Sequence, residues 1–135
     1  MRDVVIVDSV RTGLTKAFRG SFNLTRSDDM LAHCIDSLLD RNPNLSPEEV
    51  EDVVVGAATH AGEQDGNLAR LAVVLSKLPI TVAGVSINRF CSSGLQAIAI
   101  AANQIASGQT EVAIAGGVDS ISMRTRQEPG KAKQN

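Results

Sequence analysis

Among the 135 residues, the side chains best suited to covalent or acid–base chemistry are Cys34, Cys91, His33 and His60. Cys91 sits in Asn88-Arg89-Phe90-Cys91-Ser92-Ser93-Gly94, between an apolar strand-like run and a long helical stretch. A thiol at a helix N-terminus feels the positive end of the helix dipole and nearby unpaired N–H groups, and both favour the nucleophilic thiolate. The small residues Ser92, Ser93 and Gly94 let a substrate come close and leave backbone N–H groups as oxyanion donors. The strand–turn–helix placement follows the logic of a nucleophile elbow. A buried structural cysteine is the competing reading, because free cysteine is among the most buried residue types. Position alone leaves both open. Cys34 falls on the apolar stripe of a helix, where a core role is expected. His60 lies in a loop that the topology brings to the sheet edge of Cys91. It could approach the thiol or simply be solvated, and no catalytic role is assigned to it. None is assigned to His33, on a helix, or to Arg89, which either depresses the thiol pKa or faces solvent.

The elements that must position Cys91 alternate between β-branched runs and helical spacing. Val4-Val5-Ile6-Val7 predicts a first strand, buried on both faces. Ser27-Asp28-Asp29 marks a helix start, with a capping hydroxyl and acids near the positive dipole end. Met30, Leu31, Cys34, Ile35, Leu38 and Leu39 follow at helical spacing. Ser46-Pro47-Glu48-Glu49 is a second start, with room only for a short helix. Val53–Val55 predicts a second strand ending at Gly56, Leu68–Leu75 a short amphipathic helix, and Thr81–Ile87 a third strand. The stretch from about Cys91 to Ser107 predicts a long helix, apolar around much of its circumference and therefore buried, with Gly108 as its C-terminal cap. Glu111–Ala115 predicts a fourth strand ending in Gly116-Gly117. This alternation is the signature of a mostly parallel α/β sheet covered by helices. In such sheets ligands gather at the carboxyl ends of the strands, where Cys91 falls.

Composition narrows the function classes. Hydrophobic residues make up 43% and charged residues 21%, which excludes a disordered chain and fits one domain with a core. Aromatics are 2%, too few for the stacking platforms that bind single-stranded nucleic acid. Net charge is −2, and the basic residues Arg124, Arg126, Lys131 and Lys133 gather at the end, leaving a mildly acidic body. Neither a nucleic-acid nor a membrane surface is indicated. Two cysteines outside any CxxC pair give no disulfide scaffold and no zinc site. No apolar run reaches the length of a signal peptide or a membrane span, so a reducing cytoplasm is expected. Periodicity stops at Met123. Residues 1–123 are expected to be ordered and 124–135 to form a hydrophilic, disordered tail.

The segment Asn88 to Ala97 resembles the nucleophile motif of thiolases, N-x-x-C-x-S-G followed by a small-residue helix. Val4 to Thr12 with Phe18-Arg19-Gly20-Ser21-Phe22 is similar to the thiolase amino terminus. Asn67-Leu68-Ala69-Arg70 resembles the family's N-x-A-R stretch. Gly116-Gly117-Val118-Asp119-Ser120-Ile121-Ser122 resembles its G-G-x-E-x-M-S segment. The motifs occur in the family's order and span nearly all of Val4 to Met123. Gly13, where Pro often stands, and Asp119, where Glu is usual, depart from the pattern without touching the nucleophile. Ketoacyl synthases share the fold and a cysteine at this place, but Asn88 with Ser93-Gly94 favours thiolase.

The resemblance implies a partial, amino-terminal thiolase-like α/β half. It implies reversible Claisen chemistry on coenzyme A thioesters, with Cys91 holding the acyl group. Acyl-CoA and coenzyme A are then the partners, no separate cofactor or metal is needed, and a homo-oligomer is expected. Arg41-Asn42-Pro43 and the Phe18 to Phe22 region resemble degradative 3-ketoacyl-CoA thiolases more than biosynthetic ones, which implies cleavage of 3-ketoacyl-CoA. The family's activating His, second Cys and oxyanion constellation belong to its carboxyl-terminal half, whose motifs are absent here, so the chain alone should turn over little. Two other functions fit: a non-catalytic thiolase half that binds thiolase subunits, and a redox sensor thiol at Cys91. A mixed size-exclusion run tests the first, and the relative oxidation rates of Cys91 and Cys34 test the second. A dinucleotide site is set aside because no G-x-G-x-x-G follows the first apolar run.

Overall fold

The computed structural model describes residues 2–124. Its elements in chain order are α1 (Ser27–Arg41), β1 (Asp52–Gly56), α2 (Leu68–Leu75), β2 (Ala83–Ile87), α3 (Ser93–Ser107), β3 (Ala113–Gly117) and α4 (Ile121–Arg124). Single 3₁₀ turns sit at Pro47–Glu49 and Gly62–Gln64. The three strands form one parallel sheet in the order β2-β1-β3, with Asp52 opposite Ala83 on one side and Ala113 on the other. The α/β reading therefore holds.

The strand order dictates the layering. The chain steps from β1 to β2 through α2, then returns across β1 to β3 through α3. Crossovers of one hand that run in opposite directions place their helices on opposite faces. Val53, Val54 and Val55 of the central strand are all buried, as a strand covered on both sides requires. Alternate side chains serve alternate faces. Val53 and Val55 join Leu31, Ile35, Leu39, Leu68, Ala72 and Val73 in the larger core, under α1 and α2. Val54 packs on Ala97 and Ala101 of α3.

Local chemistry sets the ends of the elements. Asn67 caps α2, its Oδ1 accepting from the Arg70 N–H at 3.1 Å. Gly108 ends α3 in the left-handed region at φ 78°, as expected of that glycine. The short helix expected after Ser46 is the 3₁₀ turn, with the Glu49 carboxylate accepting from the Ser46 N–H at 2.8 Å. Ser27 does begin α1, but its hydroxyl does not cap it. It donates instead to Gln64 Oε1 at 2.7 Å and Glu63 Oε1 at 3.0 Å.

Other expectations are corrected. Val4–Val7 forms no strand: Val5, Ile6 and Val7 are 75%, 80% and 81% exposed. The segment is held at its ends, where Arg2 meets Ala106 and Glu111 and Asp8 meets Arg41 and Asn42. Between those anchors it reaches no sheet edge, and β propensity without a ladder partner makes no strand. The fourth expected strand starts two residues later than predicted and runs through both glycines, because β1 pairs with them: Val55 with Gly116 and Gly56 with Gly117. The long helix is less enclosed than its composition suggests. It buries Ser93, Ala97 and Ala101 against the sheet, while Leu95 on the far side is 73% exposed. The expected tail 124–135 lies outside the described residues, apart from the backbone end of α4.

Candidate active site

Three loops meet at the carboxyl ends of the strands: 57–67 after β1, 88–92 after β2 and 118–120 after β3. The strand order reverses between β1 and β3, and α3 starts over that reversal point. Its approach depends on glycine. A Cβ on Gly56 would lie 2.2 Å from the Ser93 carbonyl carbon, and one on Gly117 would lie 2.9 Å from the Gly94 Cα. With bare backbone at these positions, the first turn of α3 rests directly on the strand ends. An open depression of about 390 Å³ forms there, lined by Gly56, Phe90, Cys91, Ser93, Gly94 and Gly117 among others.

Cys91 is exposed at this depression and carries a free thiol. It precedes the Ser92 cap of α3 rather than lying inside the helix. The turn that presents it is strained. Phe90 has φ 50°, a left-handed conformation that a bulky side chain rarely adopts. Hydrogen bonds hold it on both sides. The Phe90 N–H donates to Asn88 Oδ1 at 2.8 Å, and the Phe90 carbonyl accepts from the Ser93 hydroxyl at 2.6 Å and the Ser93 N–H at 3.0 Å. The Ser93 hydroxyl also accepts from the Arg89 N–H at 2.8 Å, so a side chain that is 2% exposed closes the turn.

The remaining candidates occupy different settings. His60 is half-buried rather than solvated, its Nε2 within 3.1 Å of the Ala57 carbonyl and 3.3 Å of the Ile87 carbonyl. A ring nitrogen between two carbonyls is a donor, so it ties the ends of β1 and β2 together. His33 is exposed on α1, across the sheet from α3. Cys34 is half-buried on α1, and burial pushes its thiol above the ordinary range, with a hydrogen bond from the Thr12 backbone opposing. Arg89 donates along α3 to Gln96. Among the described residues, no group of three His, Cys, Asp or Glu side chains could hold a metal ion. No helix of the described residues is long and apolar enough to cross a membrane.

Two residues without an assigned role organise the loops. Gln64, 1% exposed, uses its whole amide. Its oxygen accepts from the Ser27 hydroxyl at 2.7 Å and the Ser120 N–H at 2.6 Å. Its nitrogen donates to the Thr59 carbonyl at 2.6 Å and to Asp119 Oδ1 at 3.2 Å. Asp119 in turn accepts from the N–H groups of Ala58 at 2.9 Å and Thr59 at 3.2 Å. No local pattern marks Gln64, because its partners come from the start of α1 and the loop after β3 as well as from its own loop.

A family model described as the thiolase N-terminal domain matches residues 4–135. A "Beta-ketoadipyl-CoA thiolase" of Pseudomonas knackmussii is 44% identical over 121 residues, which cover 90% of this chain and 30% of that protein. A "3-oxoadipyl-CoA/3-oxo-5,6-dehydrosuberyl-CoA thiolase" of Escherichia coli is 43% identical over 122 residues, 90% of this chain and 30% of that protein. A "3-ketoacyl-CoA thiolase" of Vibrio vulnificus is 40% identical over 119 residues, 88% and 31% respectively. The chain thus spans just under a third of the length of these relatives. A match running from Val4 through the Cys91 turn to the end of the chain goes well beyond a shared sheet topology, and the chain belongs to the thiolase family.

Proposed function

We infer that this chain is the nucleophile-bearing part of a thiolase-type acyltransferase, with Cys91 as the residue that accepts the acyl group. The observation that carries the reading is the placement of Cys91: a free, exposed thiol on a strained turn, above strand ends that glycine keeps clear. Substrate there can reach the sulfur and the backbone at the start of α3 together. The substrates of this reading are 3-ketoacyl-CoA thioesters and coenzyme A, with no resident cofactor.

In thiolysis the Cys91 thiolate attacks the 3-keto carbon of the substrate. The bond between that carbon and the next one toward the thioester breaks, and the electron pair leaves as the enolate of acetyl-CoA, which takes a proton. The shortened acyl group stays on sulfur. The coenzyme A thiol then loses a proton and attacks the acyl-cysteine, releasing a shorter acyl-CoA and restoring Cys91. Exchanging one sulfur for another on the acyl carbon changes its bonding little, so a covalent intermediate divides one hard step into two easier ones. The carbon–carbon step requires a separate acid–base group and stabilisation of the enolate oxygen. His60 is committed to two backbone carbonyls, so this reading assigns both tasks to the part of the whole protein that the chain does not span. A homo-oligomer of the whole protein, in a reducing cytoplasm, is part of the same reading, and exposed Leu95 on α3 supports the assembly.

The test is intact mass after incubation with acetyl-CoA. Acetyl transfer from the thioester to Cys91 releases coenzyme A and adds one acetyl group to the chain, and Cys91→Ser abolishes it. A chain that stays unmodified, or a Ser variant that still gains acetyl, refutes Cys91 as an acyl acceptor in this chain.

A further inference from the structure

The peptide group between Ala58 and Thr59 is gripped from both sides. Its carbonyl oxygen accepts from Asn88 Nδ2 at 3.1 Å, and its N–H donates to Asp119 Oδ1 at 3.2 Å. The second Asp119 oxygen takes the preceding N–H, that of Ala58, at 2.9 Å. Asn88 in turn holds the left-handed Phe90 through its N–H. A continuous path thus leads from the loop after β3, through one peptide unit of the loop after β1, to the turn that presents Cys91. Gln64 backs it from below, donating to both the Thr59 carbonyl and Asp119.

The chemistry of each partner suits this relay. A carboxylate carries acceptors only, so Asp119 can take two successive N–H groups and still receive the Gln64 amide. Asn88 needs both halves of its amide, donating with nitrogen to Ala58 while accepting with oxygen from Phe90. Among the described residues, the hydrogen bonds of Asp119 and Gln64 go to other loops, while Asn88, bonded to the Ala58 carbonyl, also takes the Phe90 N–H. Left-handed φ in a phenylalanine persists only where its surroundings over-determine it.

We propose that Asp119 and Asn88 are positioning residues for Cys91, acting through the Ala58–Thr59 peptide, so that Asp119 controls the Phe90–Cys91 turn by way of hydrogen bonds made to another loop. The proposal deepens the acyl-acceptor reading and rests on it for its meaning, but its primary test does not use acylation.

That test is amide hydrogen exchange in the full chain, read at Phe90 and, as a fold control, at Ile35 in α1. Asn88→Ala removes the acceptor of the Phe90 N–H, so exchange there should accelerate about fivefold or more, the scale of one lost hydrogen bond. Asp119→Ala should accelerate Phe90 by a similar factor although it removes no partner of that N–H. The double variant should go little further, because both changes act through one peptide group. Asp119→Glu, which keeps the acceptors, should restore wild-type exchange. Ile35 should be unaffected throughout. Wild-type exchange at Phe90 in Asp119→Ala overturns the proposal, and so does equal acceleration at Phe90 and Ile35. If Asp119→Ala does not fold, Asn88→Asp carries the test. It keeps an acceptor for Phe90 but sets a carboxylate against the Ala58 carbonyl, so exchange at Phe90 should still accelerate, and an unchanged rate overturns the relay. Acetylation of Cys91 by acetyl-CoA, followed in the same variants, should slow in parallel. If wild type is not acetylated at all, the acyl-acceptor reading fails while the exchange result still decides the relay.

Discussion

At the scale of single residues, the two cysteines differ in what surrounds them. Cys34 is half-buried and its thiol is pushed up by that burial, whereas Cys91 stands in solvent. Alkylation proceeds through the thiolate, so iodoacetamide at pH 7.5 should label Cys91 faster than Cys34 by on the order of tenfold. Peptide mapping of a time course checks this, and equal labelling would remove the distinction. The pH dependence of stability follows the same sign. A thiol whose folded pKa is raised favours the neutral, folded form, so its contribution is complete below the ordinary thiol pKa and is lost as pH rises through the raised value. Cys34→Ala should therefore flatten part of the alkaline fall in Tm, measured from pH 8 to 10. The identity of Cys91 as the reactive candidate was legible from its neighbours. The strain at Phe90 was not, because a left-handed φ is a backbone conformation that the residue types do not spell out, and the Asn88 and Ser93 side chains hold it only once the turn is closed. Nor was the role of Gln64, whose four hydrogen bonds go to Ser27, Thr59, Asp119 and Ser120.

At the scale of elements, the meeting of α3 with β1 and β3 rests on missing side chains. Gly56→Ala would drive a methyl group into the Ser93 backbone, which cannot yield as a flexible side chain does. Denaturant unfolding should show a loss of about 1–3 kcal/mol, the scale of overpacking a filled site. Gly116, the neighbour of Gly117, has open space where its Cβ would be. Gly116→Ala should stay within about 0.5 kcal/mol of wild type. Similar losses for the two would refute the close-approach argument. The amino-terminal segment is an element of another kind, tied down at its ends. The hydrogen bond from Asn42, then that from the Ser9 N–H, and then the Arg41 charge hold the Asp8 carboxyl below the usual carboxylate range. Its anchoring is therefore fully present above that range and is lost as pH falls through the lowered value. NMR order parameters of the Val4–Val7 amides should drop only at pH values below the ordinary carboxylate range, and should already be low at neutral pH in Asp8→Ala. Unchanged order in that variant would mean that Arg2 and its partners suffice alone.

At the scale of the whole molecule, apolar surface is left without a partner. Among the described residues, Val5, Ile6 and Val7 face solvent, β3 pairs on one side only, and a cavity of about 610 Å³ lies between residues 10–15, α1 and β3. An open strand edge and exposed aliphatic residues each favour association. Size exclusion coupled to light scattering should show a mass that rises with concentration, and Ile6→Lys should reduce that rise without lowering Tm. A strictly monomeric chain at high concentration would argue against it. The amino-acid sequence by itself determined the α/β class, the three strands of the sheet, the helices between them and the candidate nucleophile. Each of these follows from the order of residue types within a dozen or so positions. Only the tertiary structure decided that Val4–Val7 stays unpaired, that α3 leaves one face open, and that Asp119 reaches the cysteine turn through Ala58 and Asn88. Those outcomes depend on which segments meet in space: a strand exists only where an edge accepts it, and a side-chain relay only where separate loops converge.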